Sequence, residues 1–178
     1  CGIGAVYLSE NRPLDRIVEL IKLTELRGQD SVGIAIVRQN GQICEFRSLT
    51  PAHSVIQPIY DFLANAELGD TILWCCRAQP ITERQDVTQP VIHAGLVAVH
   101  NGVVANDQKL EQEFGIVNQS KVDSEVPLHL IRKFGLMRAF ELCSGGYAYI
   151  VADTTSSTLT ALRDFKTLAC CYHHGNLY

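Results

Sequence analysis

The sequence predicts an α+β fold made of stacked helical and sheet layers, and two observations point there. Strand-like runs gather in two groups, one ahead of Arg77 and one after Gly95, with helical stretches between them. Within the first group, Asn40-Gly41 joins two short apolar runs, a turn pair that favours antiparallel hairpins. A doubly wound sheet would instead alternate strand and helix along the whole chain.

The elements follow in order. Gly2 to Leu8 is a short apolar run, so a strand begins directly after Cys1. From Pro13, apolar residues at Leu14, Ile17, Val18, Leu20, Ile21, Leu23 and Leu26 form one helical face, and Gly28 is placed to stop the helix. Ser31–Val37 and Gln42–Phe46 make the hairpin around Asn40-Gly41, a helix spans Ala52–Ala66, and Thr71–Cys76 is a buried strand. Ala78 to Val91 reads as a loop broken by Pro80 and Pro90. Gly95–Val99 returns to strand and stops at His100-Asn101-Gly102. Helices are expected over Asp107–Phe114, Glu125–Phe134 and Met137–Cys143, then strands over Tyr147–Ala152, Thr158–Arg163 and Leu168–Tyr172.

With 178 residues, 47% of them apolar and no linker or repeat, the chain reads as one domain, 1–178, able to bury about 70% of its unfolded surface. A net charge of −4 with singly scattered basic residues speaks against nucleic-acid binding. No apolar run reaches the ~20 residues of a membrane span, and no signal segment opens the chain. The seven cysteines have neither CxxC spacing nor an even count, so free thiols and a cytoplasmic location are expected rather than disulfides. Neighbouring residues on a strand point to opposite faces, so Cys75-Cys76 and Cys170-Cys171 make poor zinc pairs. No metal site is expected, even with His173-His174 beside the second pair.

Four places carry candidate chemistry. A first-residue cysteine holds a nucleophile and a base together, its thiol and its own α-amine. Asn101 and the backbone N–H of Gly102 can hold an oxyanion, or form an ordinary Asn-Gly turn. Arg77 ends an otherwise apolar strand, where its charge needs a carboxylate, structural or from a ligand. Asp123 precedes a helical run and fits either an N-cap or an anionic contact.

Taken in register, Cys1-Gly2-Ile3, Leu26 to Ala35 (LRGQDSVGIA), Val99-His100-Asn101-Gly102, Val122 to Val126 (VDSEV) and Ser144 to Tyr149 (SGGYAY) resemble the class II glutamine amidotransferases. These are the glutaminase domains with an N-terminal nucleophile (Ntn). The resemblance implies a four-layer αββα sandwich with the nucleophile at the tip of a central strand. It also implies Cys1 as nucleophile and base, Asn101 and Gly102 as oxyanion hole, and Arg77 and Asp123 on the α-carboxylate and α-ammonium of L-glutamine. The Arg27-Gly28 loop would orient Cys1. A γ-glutamyl thioester would form and hydrolyse without any cofactor, and ammonia would pass to a synthase domain or subunit.

The chain departs from that family in two ways. Many members follow the arginine with an aromatic residue and then Thr or Ser, some adding His, whereas this chain reads Arg77-Ala78-Gln79-Pro80-Ile81-Thr82. Gln79 or Thr82 would have to substitute in the carboxylate contacts. The chain also ends at Tyr178, where family members usually continue into a synthase module. The alternatives are an Ntn acylase for another amide, or a degenerate Ntn fold kept as an interaction or regulatory module.

Overall fold

Two antiparallel sheets lie face to face, and the computed structural model describes residues 1–78, 89–120 and 122–178. The first sheet has the order β3-β2-β4-β1-β10-β9, from β1 (Gly2–Tyr7), β2 (Ser31–Val37), β3 (Ile43–Ser48), β4 (Thr71–Arg77), β9 (Tyr172–His173) and β10 (Asn176–Leu177). The second is β5 (Val91–His93), β6 (Leu96–Val104), β7 (Gly145–Asp153) and β8 (Thr158–Asp164), in that order. Helices α1 (Leu14–Glu25) and α2 (Ile56–Leu63) cover the first sheet. The second is covered by α3 (Asp107–Phe114), α4 (Val126–Phe134) and α5 (Leu136–Leu142).

Side-chain alternation explains the layers. Val32, Ile34 and Ile36 of β2, with Ile72, Trp74 and Cys76 of β4, face α1 and α2. Their neighbours Ala35, Val37, Leu73 and Cys75 face Val97, Val99, Ile150 and Ala152 of the other sheet. Both faces being covered, every residue of β2 is buried. Gly4 is required opposite Trp74, because a Cβ there would lie 2.2 Å from the indole ring. The indole N–H donates to Thr24 Oγ1 at 3.0 Å, so the buried ring keeps its polar atom satisfied.

Several elements differ from expectation. Asn40-Gly41 does lie in the β2–β3 turn, but as part of a longer loop. Arg38 N donates to Gln42 O, Gly41 N to Arg38 O, and only Gly41 (φ 84°) is left-handed. Such a type I turn closed by glycine replaces the two-residue turn. The Ala52–Ala66 helix divides into a 3₁₀ turn, Ala52–Val55, and α2. β5 falls partly in the segment read as loop, and β6 runs past Asn101-Gly102 to Val104 because β7 pairs with it throughout. Of Leu168–Tyr172 only Tyr172 is in a strand. His174 (φ 46°) and Gly175 (φ 77°) turn the chain tightly, so the hairpin Tyr172–His173/Asn176–Leu177 forms instead. Its Leu177 pairs with Tyr7 of β1. Among the described residues, no helix is long and apolar enough to cross a membrane.

Candidate active site

Alternation also decides what meets at one end of the two sheets. Cys1 is in phase with Ile3 and Ala5, Arg77 with Leu73 and Cys75, and Asn101 with Val97 and Val99, all facing between the sheets. β1 begins where β4 ends, with Gly2 paired to Cys76, and both strands pack on β6. Cys1, Arg77, Asn101, Gly102 and Asp123 therefore line one cleft of about 400 Å³, shared with Gln89, His100 and Ser124. Arg27 and Gly28 are not in its lining; Gly28 packs on the backbone of Cys76, Arg77 and Ala78, and the Arg27 charge acts on the Cys1 amine. Gln79 and Thr82 fall outside the described residues.

Cys1 differs from the other thiols near it. Burial pushes Cys75 and Cys76 up to about 12, which keeps them protonated. The Cys1 thiol is half-buried at the cleft, with Sγ 3.9 Å from the carbonyl oxygen of Ala78. Burial moves the Cys1 α-amine below its ordinary value of 8.0, and the positive charge of Arg27 adds to that shift. A lower value leaves more neutral amine to accept a proton.

The loop after α1 is held close to this amine. Gly28, expected from sequence to stop the helix, is not left-handed, and Leu26 caps α1 instead. Glycine is needed because a Cβ would meet Arg77 C and Cys76 O at 2.4 Å. Gly28 N donates to Glu25 O and Asp30 N to Arg77 O, which ties the loop to the end of β4.

Asn101 and Gly102 lie inside β6 rather than in a free turn. Gly102 has φ 132°, and a Cβ there would be 2.1 Å from Gly146 O, so no other residue fits. Behind them, the Gln89 side chain holds the backbone of His100, donating Nε2–H to its carbonyl at 2.9 Å and accepting its N–H. His100 stacks on Tyr149 with centroids 4.2 Å apart, and its Nδ1 meets Ser124 Oγ at 2.8 Å. Burial, and then the Cys1 ammonium, push its imidazole down to about 3, so it stays neutral. Sequence reasoning gave no role to Gln89, His100 or Ser124. His100 and Ser124 do stand inside the motifs around Asn101 and Asp123, whereas Gln89 has no signal in the sequence.

Asp123 opens a 3₁₀ turn, Asp123–Glu125, and its side chain caps neither this turn nor α4. It accepts the Val104 N–H at 2.8 Å, across from β6. Burial raises its pKa above the usual carboxylate value, while the Val104 and Ser124 hydrogen bonds and the charge of Arg77 oppose that rise. Arg77 itself makes no salt bridge among the described residues. One cation and one carboxylate thus stand in the cleft without being paired to each other.

Residues 76–178 match the family profile described as "Glutamine amidotransferase domain". The chain belongs to the glutamine amidotransferase domain family. This amidotransferase domain is 26% identical to 7-cyano-7-deazaguanine synthase of Saccharolobus solfataricus, over 98% of the chain and 41% of that protein. It is 30% identical to glutamine–fructose-6-phosphate aminotransferase (isomerizing) of Rhizobium meliloti, over the full chain and 31% of that protein. The chain therefore spans less than half the length of these relatives. Among solved structures, glutamine phosphoribosylpyrophosphate amidotransferase from B. subtilis superposes over 99% of the chain and 41% of its own (TM-score 0.77, 20% identity). A class II glutamine aminotransferase domain protein from Silicibacter pomeroyi superposes over 99% and 86% (TM-score 0.62, 17% identity). The amidotransferase domain thus has the αββα Ntn architecture that the resemblance implied.

Proposed function

We propose that this domain hydrolyses L-glutamine to glutamate and ammonia at the Cys1 cleft, and that the ammonia passes to a synthase module bound to or continuous with it. The observation that carries this reading is the placement of Cys1, Asn101, Gly102, Arg77 and Asp123 around one cleft of about 400 Å³. The Cys1 thiol gives its proton to the α-amine as sulfur bonds to the side-chain amide carbon. The resulting oxyanion is held by the Asn101 amide and the Gly102 N–H. Collapse breaks the C–N bond, and the ammonium returns the proton to the leaving nitrogen as ammonia. Water, deprotonated by the same amine, then hydrolyses the γ-glutamyl thioester. These steps need no cofactor, and the seven thiols suit a reducing compartment such as the cytoplasm.

Arg77 and Asp123 make the reading specific to a free amino acid, since an acylase for other amides needs neither charge. Asp123→Asn keeps an oxygen for the Val104 N–H, so its thermal midpoint should match wild type. Its KM for glutamine should rise about 10- to 100-fold, as expected for loss of a charge-assisted hydrogen bond. Arg77→Lys keeps the charge but loses the bidentate fork and should also raise KM. Steady-state ammonia release from both variants is the measurement. An unchanged KM in folded Asp123→Asn would exclude the α-ammonium contact and favour a different acyl substrate.

A further inference from the structure

Outside the lining of the cleft, His93 at the end of β5, Glu125 at the end of the 3₁₀ turn and His129 on α4 converge. Their ligand-capable atoms lie within 4.8 Å of one another, the one such trio among the described residues. His129 Nε2 is 3.0 Å from Glu125 Oε1, an i,i+4 pair whose side chains are only 16% and 4% exposed. With metal–donor lengths of about 2.0–2.2 Å, neighbouring donors on a tetrahedral ion are ~3.3 Å apart. That pair already has coordination spacing. The His93 ring stacks on His129 with centroids 3.5 Å apart at 26°, and its ligand-capable nitrogen lies within 4.8 Å of the pair, so turning the ring out of the stack is the movement that would aim it at the same point.

The carboxylate is oriented in advance. Gln119 N–H donates to Oε1 at 3.1 Å and Ser120 N–H to Oε2 at 2.7 Å. Such outer hydrogen bonds fix the direction of a ligating carboxylate. A structural His–Glu hydrogen bond needs one imidazole, and His93 adds a second that this bond does not use.

We propose that His93, Glu125 and His129 form a binding site for a late first-row divalent cation, zinc foremost. Two imidazoles and one carboxylate suit that ion, whereas calcium and magnesium take mostly oxygen donors. The ion takes the place of the proton between His129 Nε2 and Glu125 Oε1; the bound imidazole is the neutral tautomer with its single proton on Nδ1, and any second proton is released to solvent. The partial exposure of both histidines leaves room for water as the fourth ligand. This site is independent of the glutaminase reading.

The test uses chelator-treated protein titrated with Co²⁺ and Zn²⁺. One equivalent should bind, with the d–d absorption of four- or five-coordinate Co²⁺ and a higher thermal midpoint. His93→Gln and His129→Gln should each weaken binding about tenfold or more, while Cys170→Ser/Cys171→Ser, next to His173 and His174, should leave it intact. Metal should also protect His93 and His129 of the unaltered protein from an acylating imidazole reagent, read by mass spectrometry, which does not depend on the variants folding. Absence of stoichiometric binding, survival of the signal in both histidine variants, its loss in the cysteine variant, or no protection would each overturn the proposal.

Discussion

Replacing Cys1 with Ala should lower glutaminase kcat by ~10³-fold or more, the largest effect expected for any single position. The substitution removes the attacking sulfur while leaving the amine, the cleft and both sheets in place. Cys75, Cys76 and Cys143 cannot stand in, because burial holds each of them at about 12. A glutamine-like diazoketone should therefore add once, at Cys1, and not at all in Cys1→Ala. One extra residue ahead of Cys1 should be nearly as damaging, since the amine becomes an amide with no basicity. Full activity of such an extended chain would sink the Ntn assignment. The base also fixes the pH profile. If the amine is the base, as proposed, it must be neutral, so kcat/KM should rise with pH and level off above its pKa, which burial and Arg27 place below 8.0. Arg27→Gln removes a charge that disfavours the ammonium, so the rising limb should move to higher pH.

The second large effect is expected at Asn101. Removing an oxyanion donor costs about 10²–10³ in kcat, or roughly 2.7–4 kcal/mol of barrier, with a smaller change in KM. The interaction strengthens only as charge develops on the oxygen, which is why binding of the ground state changes less. Asn101→Ala should fold, because the β6–β7 ladder at this point is made by backbone atoms. Steady-state kinetics beside thermal melting separates the outcomes. Lost stability with unchanged turnover per folded molecule would make Asn101 a strand residue only.

Legibility in the sequence followed the range of the interactions. Helix α1 is legible from its apolar spacing and strands β1, β2 and β4 from short apolar runs, and their observed bounds agree with those readings to within a residue or two. The Cys1, Arg77 and Asn101 positions were legible because each stands at the end of an apolar run. What escaped depends on partners far along the chain. β5 is three residues long and exists because β6 pairs with it. The terminal hairpin needs the left-handed His174-Gly175 pair, which no hydrophobic pattern encodes. Gly28 resembled a helix stop, yet its need for glycine arises from the backbone of residues 76–78, about fifty residues away. His93 meets Glu125 and His129 only after the second sheet has assembled; the sole local trace was the Glu125–His129 spacing.

The shared facing of Cys1, Arg77 and Asn101 has a consequence for how such a chain can change in length. Deleting one residue between Leu96 and Val99 would exchange the faces of His100 and Asn101, turning the imidazole to the side between the sheets and the amide towards Tyr149. Deleting two would restore the faces but draw Asn101 back along the strand by about 7 Å, too far to reach the same oxygen. Both changes leave the apolar character of the strand nearly intact. Insertions and deletions should therefore be tolerated only in the segments between strands, whereas many single apolar exchanges within a central strand should leave the facing of the site residues unchanged.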